Sequence, residues 1–182
     1  MTNDAHARPS GGAPEPLYDV NIPTPTHAER ARTLVGQIST GTLCTLAVEP
    51  EGYPYGSFVT VGFDAGNPVF LVSTMAEHTQ NLQSDPRGSL LVAEREADDP
   101  LANGRVTLLG PCTRVKEDGG SARAAFLGTH PSAACYADFG DFAFWKLQVE
   151  SVRYIGGYGR MSWVEASEWH AAEADPLAAA AA

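Results

Sequence analysis

The chain has 182 residues, with 12 Lys and Arg against 22 Asp and Glu, giving a formal net charge of −10. That length suits a single domain, and a 43% hydrophobic fraction is enough to build a core without disulfide or metal staples. The acidic excess excludes a protein that lives on the phosphate backbone of DNA or RNA, which needs clustered Lys and Arg, yet it leaves room for a small anionic ligand held in a local pocket.

Residues 1–25 contain Pro9, Pro14, Pro16, Pro23 and Pro25 with Gly11 and Gly12, a composition that propagates neither helix nor central strand and reads as a flexible arm. Thr26 and Glu29 then form a T-x-x-E capping box, and Ala28, Ala31, Leu34, Val35 and Ile38 share one helical face. Gly41 is placed to end that helix. From there the period changes to two. Thr42–Val48 and Tyr55–Phe63 flank a Pro50-Glu51-Gly52 turn, and a second turn at Asp64–Asn67 leads into Pro68–Ser73, so three strands are expected as antiparallel hairpins. Thr74–Ser84 reads as a short helix capped by Ser73 or Thr74 and stopped by Asp85-Pro86.

Two more strands follow, Gly88–Glu94 and Arg105–Lys116, with a bulge expected at Gly110-Pro111. Ser121–Leu127 reads as helix, and Ser132–Ala137 as a further turn of helix. Phe142–Ile155 is a last β region, after which Gly156-Gly157-Tyr158-Gly159 turns the chain toward Trp163 and Trp169. Some six short strands with interspersed helices favour an α+β, mostly β antiparallel barrel over a βαβ sheet. The barrel domain is expected over residues 26–164. Residues 165–182 are a helical tail in which Asp175-Pro176-Leu177 resembles a helix start, so a further segment is expected to be missing.

Cys44, Cys112 and Cys135 lie far apart, without a C-x-x-C pair or a histidine at ligand spacing, and read as reduced thiols in the cytoplasm. The polar stretch from Met1 to Ser10 lacks the apolar core of a signal peptide, and no run approaches the ~18 apolar residues of a membrane span. No metal site is expected. His6, His27, His130 and His170 show no ligand spacing, and Glu94, Glu96, Asp98 and Asp99 read as a solvated acidic loop.

The stretch from Leu71 to Leu82 concentrates polar groups at a strand-to-helix corner: Ser73, Thr74, His78, Thr79 and Asn81. Free N–H groups, the helix dipole and hydroxyls can seat a phosphate there; ordinary N-capping by Ser73 and Thr74 is the plainer reading.

Gly52-Tyr53-Pro54-Tyr55-Gly56-Ser57-Phe58-Val59, Val72-Ser73-Thr74 with His78-Thr79 and Asn81-Leu82, and Gly104–Gly110 resemble the FMN-binding split barrel of pyridoxamine-5′-phosphate-oxidase-like proteins. Tyr154–Arg160 is similar to the heme-utilisation (HugZ-type) branch. The resemblance implies a homodimer of six-stranded split barrels with short flanking helices and small-molecule sites in the clefts between subunits. It implies FMN phosphate at Ser73, Thr74, His78 and Thr79 with Arg105 reaching in, Asn81 among the cofactor-binding residues, and the flavin ring along Ser57, Phe58, Val59 and Thr60. The leading expectation is therefore an FMN-dependent oxidoreductase in which the flavin does the chemistry, with no obligatory catalytic side chain. Because His78-Thr79 stands where pyridoxamine-phosphate oxidases have Arg-Lys, vitamin B6 phosphate is not the expected substrate. The alternative is a heme-binding or heme-degrading protein using the same cleft, with Arg160 at a propionate and an iron-ligating histidine from a C-terminal extension; by charge logic alone, Arg160 is equally a surface arginine. A third reading is a regulatory binding module without cofactor.

Overall fold

A computed structural model describes residues 24–95, 97–116 and 120–175. Helix α1, His27–Gln37, starts at the expected capping box, with Thr26 Oγ1 accepting from the Glu29 N–H at 3.1 Å and the Glu29 carboxylate accepting from the Thr26 N–H at 2.7 Å. The helix stops earlier than expected. Ile38 is already extended, and Gly41 belongs to strand β1, Thr40–Leu46.

Strands β2 (Pro54–Thr60), β3 (Gly62–Asp64) and β4 (Asn67–Ser73) follow, then helix α2 (Glu77–Ser84) and strands β5 (Arg87–Ala93) and β6 (Gly104–Arg114). Helix α3 (Gly120–Thr129) and a 3-10 turn at Pro131–Cys135 precede β7 (Phe142–Leu147), β8 (Ser151–Gly156), β9 (Met161–Glu165) and helix α4 (Ala166–Ala171). The expected last β region is thus two strands, and the stretch past the glycine cluster is a third. Its separation into β7 and β8 was not visible in the alternation, because both strands pair with β6 and Gln148 and Glu150 keep backbone bonds to Pro111 and Leu109 across the break.

The hydrogen-bonded order is β2-β1-β5-β6-β7-β4-β3, with β8 on β6 and β9 on β8. The two ends of that path, β2 and β3, are consecutive in sequence and joined only by Val61, which is fully buried. A sheet whose edges are one residue apart must curl closed, so the path is a barrel. Counted with β2 and β3 as one bent strand, it has the six strands expected from the sequence.

The split lies in β6. Residues 104–109 pair with β8, whereas Cys112–Arg114 pair with β7. The change occurs at Gly110-Pro111, the expected irregularity: a Cβ on Gly110 would run into the Gln148 carbonyl oxygen, so only glycine lets the β7–β8 connection cross so closely.

The main core fills the barrel under α1, with Leu43, Val61, Phe70, Leu90, Val106, Leu108 and Trp169 fully or nearly fully buried. Trp169, from α4, donates its indole N–H to the Gly66 carbonyl at 3.0 Å, and the Arg32 guanidinium lies 4.9 Å from its ring centroid. Gly66 sits at φ +83° in the β3–β4 turn, a conformation that glycine adopts freely. The tail at residues 165–171 therefore packs into the same core as the barrel. A second, smaller core around Phe126 and Phe144 lies under α3. The arm over residues 1–23 and the tail past Asp175 lie outside the described residues.

Candidate functional site

The corner between β4 and α2 is not built as a capped helix start. The N-cap is Ala76, without a side-chain cap, and α2 begins at Glu77 rather than Thr74. Ser73 Oγ instead accepts from the Met75 N–H at 3.2 Å and donates to a carboxylate oxygen of Asp141 at 3.3 Å, while the Thr74 N–H donates to the Asp141 carbonyl at 2.7 Å. Asp141 precedes β7, whose Phe142 pairs with Ser73. The corner thus carries a carboxylate on its serine and an exposed glutamate, Glu77, in the first helical turn.

The remaining polar residues of this stretch divide between inside and outside. Thr79 is fully buried, and its hydroxyl donates to the Ser73 carbonyl at 2.7 Å. Asn81 is 3% exposed. Its Oδ1 accepts from the Val48 N–H at 2.9 Å and its Nδ2 donates to Thr45 Oγ1 at 3.0 Å, tying α2 to the β1–β2 connection. Both side chains are engaged within the fold. His78 lines the surface beside them, with Nε2 covered and without a hydrogen-bond partner among the described residues. Burial pushes its pKa below the usual histidine value, partly opposed by nearby Glu77, so the ring is mostly neutral at pH 7.

A groove of about 300 Å³ runs between β2 and this corner, lined by Phe58, Val59, Thr60, Leu71, Val72, Ser73, Ala76, His78 and Phe142. Of the residues singled out in the sequence, it unites Phe58, Val59, Thr60, Ser73 and His78. Ser57, Thr74, Thr79 and Asn81 flank it without lining it. Asp141 and Phe142 were missed because they enter from a strand some 68 positions away from Ser73, a contact with no local signature.

Arg105 and Arg160 do not line the groove. Arg105 sits at the other end of β6, its Nη1 donating to the carbonyls of Asn103 at 3.3 Å and Leu101 at 3.4 Å. Arg160 is exposed in the β8–β9 turn, where its carbonyl accepts from the Gly156 N–H. Beside it the Tyr158 hydroxyl donates to Asp99 at 2.6 Å, which holds the Asp99 pKa below the usual carboxylate range.

Alternation along β2, β1, β5, β6, β8 and β9 turns one face inward and leaves the other bare. Register places Phe58, Thr42, Leu91, Thr107, Arg153 and Trp163 in one cross-strand row on that outer face. Phe58 is 68% exposed and Trp163 59%, with the Arg153 guanidinium 5.3 Å from the Trp163 ring centroid. Arg105, Ile155 and Met161 form the adjoining row. Among the described residues no three His, Cys, Asp or Glu side chains come together as a metal site, and no helix is long and apolar enough to cross a membrane.

Comparison with known proteins gives this geometry relatives. The chloroplastic non-canonical heme oxygenase HOZ of Arabidopsis thaliana is 38% identical over 159 residues, covering 82% of this chain and 48% of that protein. A solved structure of a heme binding protein from Mycobacterium smegmatis superimposes with a TM-score of 0.80 at 46% identity, covering 85% of this chain and 64% of that one. A Clostridium acetobutylicum protein of the pyridoxinephosphate oxidase family shares the fold alone, at 13% identity and a TM-score of 0.60, with coverage of 78% and 96%. The chain therefore spans about half the length of the curated relative it matches and just under two thirds of the mycobacterial structure. Its architecture is that of the split-barrel proteins it resembled in sequence. The family model described as CREG, beta-barrel matches residues 23–171, and the chain belongs to that family.

Proposed function

We propose that this protein binds heme in the groove between β2 and the β4–α2 corner. The observation that carries the reading is the Asp141 carboxylate on Ser73. A flavin mononucleotide would have to set a dianionic phosphate beside that carboxylate and Glu77, with neutral His78 in place of a permanent cation. The corner does not fit that group. A macrocycle that presents an apolar face inward asks for different walls, and Phe58, Leu71, Val72, Ala76 and Phe142 supply them. The heme-binding and heme-oxygenase names of the relatives agree with this choice.

Heme, when bound, supplies iron redox chemistry; the chain supplies the enclosure. Phe58 and Phe142 exclude water from the two sides of the groove, and Ser73 with Asp141 directs anionic substituents away from the corner. The groove holds about 300 Å³, the low end for a small-molecule site, and is open beside Phe58. Phe58 also belongs to the bare outer face of the sheet. A second copy of the chain laid on that face would bury Leu91, Met161 and Trp163, complete the groove and bring Arg105 to it from the other subunit. The protein is therefore read as a homodimer. Its cysteines are free thiols, in keeping with a reducing compartment such as the cytoplasm.

The test is titration of the purified chain with hemin and, separately, with FMN. Hemin is expected to give a saturable Soret band that Phe58→Asp weakens at least ~10-fold, and FMN is expected not to compete for the groove. FMN that displaces hemin, or hemin binding indifferent to Phe58→Asp, would overturn the assignment.

A further inference from the structure

On the far side of Phe142 lies a larger cleft, about 850 Å³, whose walls include Arg114, Lys116, Arg123 and Phe139. We propose that this cleft is a second ligand site, separate from the heme groove, for a planar aromatic small molecule bearing carboxylate or phosphate groups.

The charge there runs against the rest of the chain. A protein with 12 basic residues against 22 acidic ones places three of its cations on one concavity, opposed among its described walls by one carboxylate, Asp138. Backbone geometry makes this convergence. After Pro111, β6 leaves β5, and the Val115 N–H donates to the Phe144 carbonyl at 2.8 Å. Val115 is thereby fixed as the partly buried position of an extended segment, with Arg114 and Lys116 exposed on either side of it. Neither side chain makes a hydrogen bond or ion pair with the described residues. Arg123 is held differently: its guanidinium donates twice to Asp138, at 2.8 and 3.1 Å, and lies 5.7 Å from the Phe144 ring centroid. The concave wall focuses the field of Arg114 and Lys116 on its interior.

The remaining surface is aromatic. Phe139 is 57% exposed, and Phe142 offers a second ring. Flat apolar rings next to exposed cations match a ligand with a π-face and anionic arms. The net charge of the chain argues against a nucleic acid as that ligand.

The experiment pairs each anion with its uncharged twin: FMN against riboflavin, and metal-free protoporphyrin IX against its dimethyl ester, titrated by fluorescence at 0.05 M salt. At least one anion is expected to bind ~10-fold or more tightly than its twin. The gap should close in Arg114→Ala/Lys116→Ala and in Arg114→Gln/Lys116→Gln, both checked for native circular dichroism, and should persist in Phe58→Ala. The proposal is overturned if neither anion binds, if twins bind alike, if the gap survives removal of both cations, or if Phe58→Ala abolishes it. Because the control variant lies in the groove and the charge-removing variants lie in the cleft, failure here and failure of the heme assignment are separately visible.

Discussion

Replacing Asn81 by alanine separates a structural from a ligand-binding role for a buried polar residue of the corner. The substitution removes two hydrogen bonds, to the Val48 N–H and from the amide to Thr45 Oγ1. Thr45 is itself buried, so its hydroxyl loses a partner where water does not replace it, at a cost of about 1–3 kcal/mol. Val48 is half-exposed, and its N–H can turn to solvent, so its loss is about 1 kcal/mol. Alanine returns roughly 0.6 kcal/mol of helix propensity within α2. The net is about 2.5 kcal/mol of lost stability. At a urea slope of about 2 kcal/mol per molar, the unfolding midpoint should fall by roughly 1 M. Hemin affinity, measured well below that midpoint, should stay within about threefold of the parent. In a double-mutant cycle with Thr45→Ala the two losses should be strongly non-additive, because each deletes the same bond. An unchanged midpoint with hemin binding weakened tenfold would refute the structural assignment and return Asn81 to the ligand.

Two other outcomes follow from the packing. Trp169→Ala should cost about 3–5 kcal/mol, since it empties a fully buried indole site, leaves the Gly66 carbonyl unpaired and removes the ring beneath Arg32; Trp169→Phe should lose about 1–2 kcal/mol, and equal effects of the two in urea unfolding would contradict the account. In thiol labelling at pH 8, exposed Cys135 should react first, whereas Cys112, fully buried with its pKa pushed up to about 12, should react only on unfolding. Cys44 lies between Gly56 and Ser89 on the outer sheet face, so its labelling should slow as protein concentration rises, and a concentration-independent rate would exclude that face as the dimer contact.

The barrel was legible because its information is local. The capping box at Thr26 and Glu29, the period-two stretches and the Gly110-Pro111 irregularity each sit within a few residues. The corner was legible only as a list of residue types. Thr79 and Asn81 look like ligand donors in sequence, yet the bend from β4 into α2 turns them inward, where they satisfy backbone and hydroxyl groups. What sets the chemistry of the groove is Asp141, brought to Ser73 by the pairing of β4 with β7. The same pairing sets Phe142 between the groove and the basic cleft. No pattern around residue 141 announces a partner near residue 73. Arg105 illustrates the complementary limit: its place on an outer sheet face emerges only from the register of β6 with β5 and β8.

The two cores differ in size, seven buried residues under α3 against twenty-three in the barrel, and they lie on opposite faces of the β4–β7 pair, with Val69, Leu71 and Phe144 in the smaller and Phe70, Val72 and Trp145 in the larger. Only three residue pairs join β6 to β7, compared with seven joining β6 to β5. Helix α3 rests on the smaller core, so its amides should exchange with deuterium through a partial opening while those of β1, β5 and β6 wait for global unfolding. One wall of the basic cleft, Arg123, rides on that looser unit. Occupancy of the cleft would then register as slower exchange across α3, an effect visible far from any change in the barrel.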